Sequence, residues 1–102
     1  MSALAVDLFA HAALAVAGEV TAALGAPPKG VAGRGRCYSA KSEALYVAIV
    51  LLGAQKTAAA RACGVSINHI PRILGRVEDA RDRGEIEARH AAIEARIYGG
   101  AR

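Results

Sequence analysis

Apolar residues recur every four positions through the first quarter of the chain. The stripe consists of Leu4, Leu8, Ala12, Val16, Val20 and Leu24. This spacing is typical of one face of an α-helix, so it predicts a helix from Ser2 to Leu24 whose stripe faces the core. The following sequence, Gly25-Ala26-Pro27-Pro28, is rich in residues that end helices, and it closes this element.

A denser apolar segment, ALYVAIVLL, covers residues 44–52. It is apolar on nearly all sides of a helix, which predicts a central, buried helix that begins at a Ser39 or Ser42 cap and ends before Gly53. With Ser39 as the cap, Glu43 lies one position beyond the ideal site for a capping box. Three further helices are predicted at about Gln55–Cys63, Ile67–Arg81 and Glu85–Tyr98.

The last predicted helix has an apolar side and a charged side. Ile86, Ile93 and Ile97 share one side with small alanines. Its Glu and Arg residues are expected to form a solvated face, and a partner-binding or dimer role is the alternative. Because no segment shows the alternation of a strand, the sequence predicts an all-α bundle of about five helices.

Residues 25–39, GAPPKGVAGRGRCYS, have no apolar periodicity and contain Lys29, Arg34 and Arg36. Their glycines and prolines are typical of a loop, and loops of this length are often functional. The chain is therefore interpreted as one domain, residues 1–102. It comprises an N-terminal helix (1–24), a basic loop (25–39) and a helical core with a closing helix (40–98).

Composition and charge narrow the class of protein. Hydrophobic residues make up 54% of the chain and aromatic residues only 4%, which favours alanine-rich, closely packed helices. The net charge is +4, but residues 27–76 hold eight Lys or Arg against one acid, Glu43, and so carry +7. A concentrated basic block of this kind is expected of a protein that binds a polyanion.

Other classes of site find little support in the sequence. Cys37 and Cys63 are too few for a disulfide framework, and His11, His69 and His90 are too scattered for a metal site. No motif places a nucleophile beside a base, so we expect neither an enzyme nor a cofactor. Acidic residues and a histidine interrupt the apolar N-terminal segment, and no basic signal region precedes it. We therefore expect a soluble cytoplasmic protein without a membrane partner.

Residues 56–74, KTAAARACGVSINHIPRIL, fit the pattern of a helix-turn-helix. Ala60 is a small residue at the place where the two helices cross. Gly64 follows four residues later, at a turn position that commonly needs a positive φ. Val65 is expected to reach the core from the turn, and Ser66 can cap the next helix.

The second helix of this motif is the candidate DNA-reading element. Ile70 and Ile73 are expected to face inward, which leaves four residues exposed near the helix N-terminus: Ile67, Asn68, His69 and Arg72. Asn, His and Arg side chains can bind base edges or phosphates. Pro71 would kink a helix that starts at Ile67, whereas a later start would place it in the tolerated first turn.

Four segments resemble the C-terminal DNA-binding domain of the bacterial replication initiator DnaA and its short relatives. AKSEALYV (40–47) is similar to the family's ARQxAMYL, GAQKTAAARACG (53–64) is similar to GLSLPEIGRAFG, Ile70 falls on a Val of its signature helix, and VEDARD (77–82) resembles the stretch after that helix. The resemblance covers residues 34–97.

The resemblance implies a DNA-binding scaffold with a basic loop before the central helix. In that family an Arg enters the minor groove, and the matching residue here is Lys41, preceded by Arg34 and Arg36 in the loop. The family's Arg-Asp-His-Thr-Thr run is replaced by VSINH at residues 65–69, and a nucleotide-binding domain is absent. The resemblance therefore implies the scaffold of that family with a different DNA specificity.

Together these features predict sequence-specific binding of double-stranded DNA by a bacterial or phage-like transcriptional regulator. The predicted DNA-binding residues are Lys29, Arg34, Arg36, Lys41, Lys56, Arg61, Ser66, Asn68, His69 and Arg72. The protein partner would be a component such as RNA polymerase. Two alternatives stay open at this point: a protein-interaction adaptor that keeps the helix-turn-helix as a scaffold, and a small terminase-like DNA-packaging protein that forms a ring.

Overall fold

The computed structural model describes residues 2–27, 39–82, 84 and 86–99, and it confirms the all-α class. Within these ranges there are five α-helices and no strand. The helices are α1 (Ala3–Ala22), α2 (Ala40–Tyr46), α3 (Lys56–Cys63), α4 (Ile70–Asp82) and α5 (Glu87–Tyr98). A π-helical turn, Val47–Leu51, continues α2, and a 3₁₀ turn, Ile67–His69, precedes α4.

The segment formed by α2 and its π-helical turn lies at the centre of the molecule, as predicted. Four consecutive residues, 45–48, are at most 2% exposed, which confirms the predicted burial for the middle of this segment. The prediction is wrong at Val50 in the π-helical turn, which is 46% exposed. The Ser39 hydroxyl accepts a hydrogen bond from the Ser42 amide at 3.1 Å and caps α2. Gly53, with φ of +81°, follows the π-helical turn and lets the chain reverse toward α3.

The face that α1 turns to the core differs from the prediction. Leu4 and Leu8 of the predicted core stripe are 69% and 60% exposed, and Val16 is 45% exposed. The buried residues are the small ones: Ala10, Ala13, Ala17 and Thr21. The helix therefore presents mainly small residues to the core. The predicted stripe is wrong at Leu4, Leu8, Ala12 and Val16, which are exposed, and correct at Val20 and Leu24, which pack against the core with partial exposure.

The physical reason lies in the partners of α1. It packs on α2 and α3, and α3 presents the buried alanines 58–60 to the core. Small side chains on both helices let their backbones approach closely, so a leucine face would hold them apart. Arg61 of α3 also binds Asp7 of α1, with 2.6 Å between Nη2 and Oδ1, and this surface ion pair forms in the same rotation of the helix.

A buried ion pair joins Glu43 of α2 to Arg89 of α5. Arg89 donates through Nε to Oε2 of Glu43 at 2.7 Å and through Nη2 to Oε1 at 2.6 Å. The same guanidinium donates to backbone carbonyls at the end of α1, including Thr21 at 3.3 Å and Gly25 at 2.9 Å. The prediction of a fully solvated charged face on α5 is therefore wrong at Arg89, whose side chain is only 12% exposed.

The remaining predictions about the helices need small changes. Ile86 and Ile93 are buried on the inner side of α5, as predicted, and Ile97 packs against the core with partial exposure. Helix α5 begins at Glu87 and not at Glu85, and α1 ends at Ala22 and not at Leu24.

Helix α1 is long and apolar enough to cross a membrane, by length and composition alone. Its most apolar 18-residue window has a mean hydropathy of 1.6, and 17% of that window is buried.

Candidate nucleic-acid interface

The turn between α3 and α4 has the geometry that the sequence predicts for a helix-turn-helix. Gly64 adopts a left-handed conformation, with φ of +73° and ψ of +28°. Its amide donates to the carbonyl of Arg61 at 3.2 Å, and the Val65 amide donates to the carbonyl of Ala60 at 3.0 Å. This pair of bonds is a Schellman motif, which satisfies the last carbonyls of α3 and redirects the chain.

Ser66 starts the next segment, but that segment is a 3₁₀ turn rather than the predicted α-helix. The Ser66 hydroxyl accepts from the Asn68 amide at 3.3 Å, and the Ser66 carbonyl accepts from the His69 amide at 3.0 Å. The α-helical hydrogen bonds begin only with α4, so Pro71 occupies its second position. There its missing N–H removes no helical bond, which explains why the helix starts at Ile70 and not at Ile67.

The buried side of α4 sets which residues face outward. Ile70 is fully buried, Leu74 and Val77 are at most 8% exposed, and Ile73 packs against the core with partial exposure. This inner side leaves the predicted reading residues on the surface: Ile67, Asn68, His69 and Arg72 are all exposed. The structure thus places three polar side chains in succession on and just after the 3₁₀ turn.

Charge is divided along α4. Its N-terminal half carries Arg72 and Arg76 and no acid, whereas its C-terminal half carries three exposed acids, Glu78, Asp79 and Asp82, against one base, Arg81. Arg76 was missed as a candidate in the sequence, although its spacing of four residues from Arg72 indicates the same helix face. The end of α4 that adjoins the turn is therefore the cationic one.

Three other predicted phosphate-binding residues lie on α2 and α3. Lys41 is exposed in the first turn of α2, and Lys56 is exposed as the first residue of α3. Burial raises the pKa of the Cys63 thiol at the end of α3, and the positive charge of Lys41 partly offsets this rise. Arg61 is 59% exposed, but it is engaged with Asp7.

The other predicted cations, Lys29, Arg34 and Arg36, lie outside the described residues. The described cations nevertheless come from three elements, namely α2, α3 and α4. Among the described residues there is no group of three or more His, Cys, Asp or Glu side chains that could hold a metal ion. The arrangement offers hydrogen-bond donors and positive charge, and these are the groups that bind phosphates and base edges.

A cavity of about 450 Å³ lies away from the turn, between α2, α4 and α5. Inside it, Arg81 donates to the Tyr46 hydroxyl at 2.5 Å, and the rings of Tyr46 and His90 meet edge to face with centroids 6.0 Å apart. Three acidic side chains, Glu78, Asp82 and Glu87, also line it. These acidic side chains would repel a phosphate, so the turn between α3 and α4 is a better candidate for the nucleic-acid interface than the cavity.

Comparison with known proteins adds no relative. No family model, curated protein or solved structure matches this chain.

Proposed function

We propose that this chain binds double-stranded DNA through its helix-turn-helix and acts as a sequence-specific transcriptional regulator of bacterial or phage-like type. The observation that carries the proposal is the turn at Gly64 and Ser66, which leads directly into exposed Asn68, His69 and Arg72. These residues lie at the N-terminal end of the second helix, the end that enters the major groove in helix-turn-helix proteins.

The charge division along α4 supports one orientation on DNA. Phosphates attract the N-terminal half with Arg72 and Arg76, and they repel the acidic residues of the C-terminal half. The helix would therefore enter the groove with its first turns deepest and its acidic end directed away. In this orientation Arg72 and Asn68 are suited to base edges, since Arg binds guanine and Asn binds adenine with two hydrogen bonds each.

Lys41 in the first turn of α2 and Lys56 at the start of α3 are exposed cations, and they support the proposal as phosphate-binding residues. The basic loop with Lys29, Arg34 and Arg36 would add charge before α2 and enter an adjacent minor groove, as the resemblance to the DnaA domain suggests. The scaffold of that domain is thus part of this proposal, with altered reading residues. Arg61 would reach a phosphate only by leaving Asp7, so we expect a smaller contribution from it.

The decisive experiment selects duplexes from a random pool with the full chain and measures their affinity by fluorescence anisotropy. We expect a defined consensus and a steep decrease of affinity with salt. Arg72→Ala should cost about 1–3 kcal/mol on the consensus and relax one base position. Lys41→Ala should weaken all duplexes and reduce the salt slope by about one unit.

Arg96→Ala is the matched control, because Arg96 is exposed on α5 and its replacement changes the net charge equally. It should leave both affinity and base preference nearly unchanged. Uniform recovery of the random pool would contradict sequence-specific regulation and favour a packaging role. Equal effects of Arg72→Ala and Arg96→Ala on affinity would show that only the net charge of the protein matters. That outcome would reject the turn as the site that recognises bases.

A protein-interaction role is the second candidate, and the exposed apolar face of α1 favours it. A partner such as RNA polymerase would then bind through that face while the helix-turn-helix acts as a scaffold or binds DNA in addition. Duplex binding that is absent even at low salt, together with an intact fold, would favour this function over the first.

A further inference from the structure

The outward face of α1 concentrates the exposed apolar surface of the described residues. Of the seven large apolar side chains that are exposed there, four lie on this helix: Leu4 at 69%, Leu8 at 60%, Phe9 at 46% and Val16 at 45%. Ala12, which is also exposed, lies between them. Monomeric soluble proteins rarely leave such a contiguous apolar patch uncovered, so the face calls for an occupant.

Rotation of α1 cannot bury this face within the same chain. The opposite face already packs on the core through Ala10, Ala13 and Ala17. Asp7 binds Arg61 on one side, and Arg89 holds the carbonyls at the C-terminal end of the helix. A rotation that turned Leu8 inward would break these contacts and force a larger side chain into an alanine-sized gap.

We propose that this face binds the same face of a second copy, with the two α1 helices antiparallel and their two-fold axis near Ala12. The exposed part of the stripe is symmetric about that residue at Leu8 and Val16, which lie four positions away on either side. Eight positions away Leu4 is exposed, whereas Val20 is partly buried against the core of its own chain. An antiparallel pair therefore opposes Leu8 to Val16, and Ala12 to itself. Such self-complementarity is what an isologous interface requires, and the small central residue allows close helix crossing.

Charge complementarity favours the antiparallel arrangement over a parallel one. The first turn of α1 contains no acidic residue, and its last turn contains no basic residue, so its own side chains leave the helix dipole uncompensated. Antiparallel pairing brings Glu19 of each copy beside the positive N-terminal turn of the other, near Ala5. Parallel pairing would instead bring the two Glu19 carboxylates together. The same exposed carboxylate also disfavours a lipid surface as the occupant.

The area is sufficient for a dimer of moderate affinity. At the exposed fractions given above, each of the four large side chains offers on the order of 100 Å². With the intervening alanines and both copies counted, the interface buries about 1,000 Å², at the lower limit of specific protein interfaces. We therefore expect a dissociation constant in the micromolar range. Interfaces of equal area differ widely in affinity, so only the order of magnitude follows from the area.

Sedimentation velocity of the full chain over the micromolar range tests the dimer directly, and it requires no DNA. The mass should rise from monomer to dimer, and Leu8→Glu should weaken association at least about tenfold. Ala88→Glu, at an exposed site on α5, adds the same charge and should leave the dimer intact. Thermal unfolding by circular dichroism checks that both variants are folded.

Disulfide trapping tests the orientation in a variant with Cys37 and Cys63 replaced by serine. Ala12→Cys should form an intermolecular disulfide on oxidation, because the two sites face each other at the axis. Ala22→Cys should not, since the antiparallel pair holds those sites about 30 Å apart. The proposal would be overturned if sedimentation gave a monomer at all concentrations or the mass of a ring. It would also be overturned if the disulfide formed at Ala22→Cys instead of Ala12→Cys, or if the monomer bound phosphatidylcholine vesicles. Loss of DNA binding alone would leave it standing.

Discussion

Replacing Arg89 with alanine removes the guanidinium that joins α1, α2 and α5. The two hydrogen bonds to Glu43, at 2.6 and 2.7 Å, are lost together with those to the carbonyls at the end of α1. In the intact chain Glu43 is 2% exposed, so its carboxylate lies in a poorly solvated place when the cation that binds it is deleted.

The expected cost follows from this burial. Deleting one partner of a buried ion pair costs about 3–5 kcal/mol, since the remaining charge is poorly solvated. The carbonyl of Gly25 is exposed and can bind water instead, so its lost bond adds little, whereas the carbonyl of Thr21 is partly buried and its lost bond adds to the cost. A loss of about 3 kcal/mol lowers the Tm of a domain of this size by about 12–24 °C. It is also a large part of a typical stability of about 5–15 kcal/mol.

Urea unfolding followed by circular dichroism measures this difference, and two variants serve as controls. Arg61→Ala breaks the surface pair with Asp7, whose side chains are 59% and 41% exposed, and should cost at most about 1 kcal/mol. The double variant Glu43→Leu with Arg89→Met removes both charges and should be more stable than Arg89→Ala. Equal losses for Arg89→Ala and Arg61→Ala would refute the reasoning, because burial would then have no effect on the cost.

Two further predictions concern the turn and its neighbouring thiol. Gly64→Ala should destabilise the fold by about 1–2 kcal/mol, because alanine is strained at φ of +73° although space is free around it. Gly75→Ala within α4 should stabilise the fold by about 0.5–1 kcal/mol. Urea unfolding that shows both variants destabilised, or both stabilised, would contradict this account. Burial raises the pKa of Cys63 above its ordinary value, so the folded state holds the thiol proton more tightly than the unfolded state. This contribution to stability is fully present below the unfolded-state pKa, and it is lost as pH rises through the folded-state value. Between about pH 8 and 10 the Tm should therefore fall further for the wild type than for Cys63→Ala, and parallel curves would contradict the shift.

The turn between α3 and α4 could be predicted from the sequence because its determinants are local. Gly64 needs only its own backbone conformation, Ser66 bonds to an amide two residues away, and Ile70 lies on a helix face that spacing alone identifies. The sequence leaves a later start of the second helix open, because Pro71 is tolerated in a first turn, but it does not predict the 3₁₀ turn at Ile67–His69. The structure gives the later start.

The features that could not be predicted depend on distant partners. The periodicity of α1 identifies its large residues as an apolar stripe. It does not show that α1 packs against the buried alanines of α3, which favour a face of small residues. The bond between Glu43 and Arg89 joins residues 46 positions apart, so neither side chain identifies the other along the chain. Arg89 was therefore interpreted as a solvated residue, and Glu43 as an imperfect part of a helix cap.

The alanine face of α1 has a consequence for how this protein tolerates change over evolution. Ala10 and Ala17 are completely buried, and nearly every amino acid that could replace them is larger. Enlargement at such a site forces the helices apart, at a cost of about 1–3 kcal/mol. The usual pattern, in which core positions drift among residues of different size, is therefore closed to this face. Variation should instead accumulate on the outward side of α1, unless a second copy covers it and restrains that side as well.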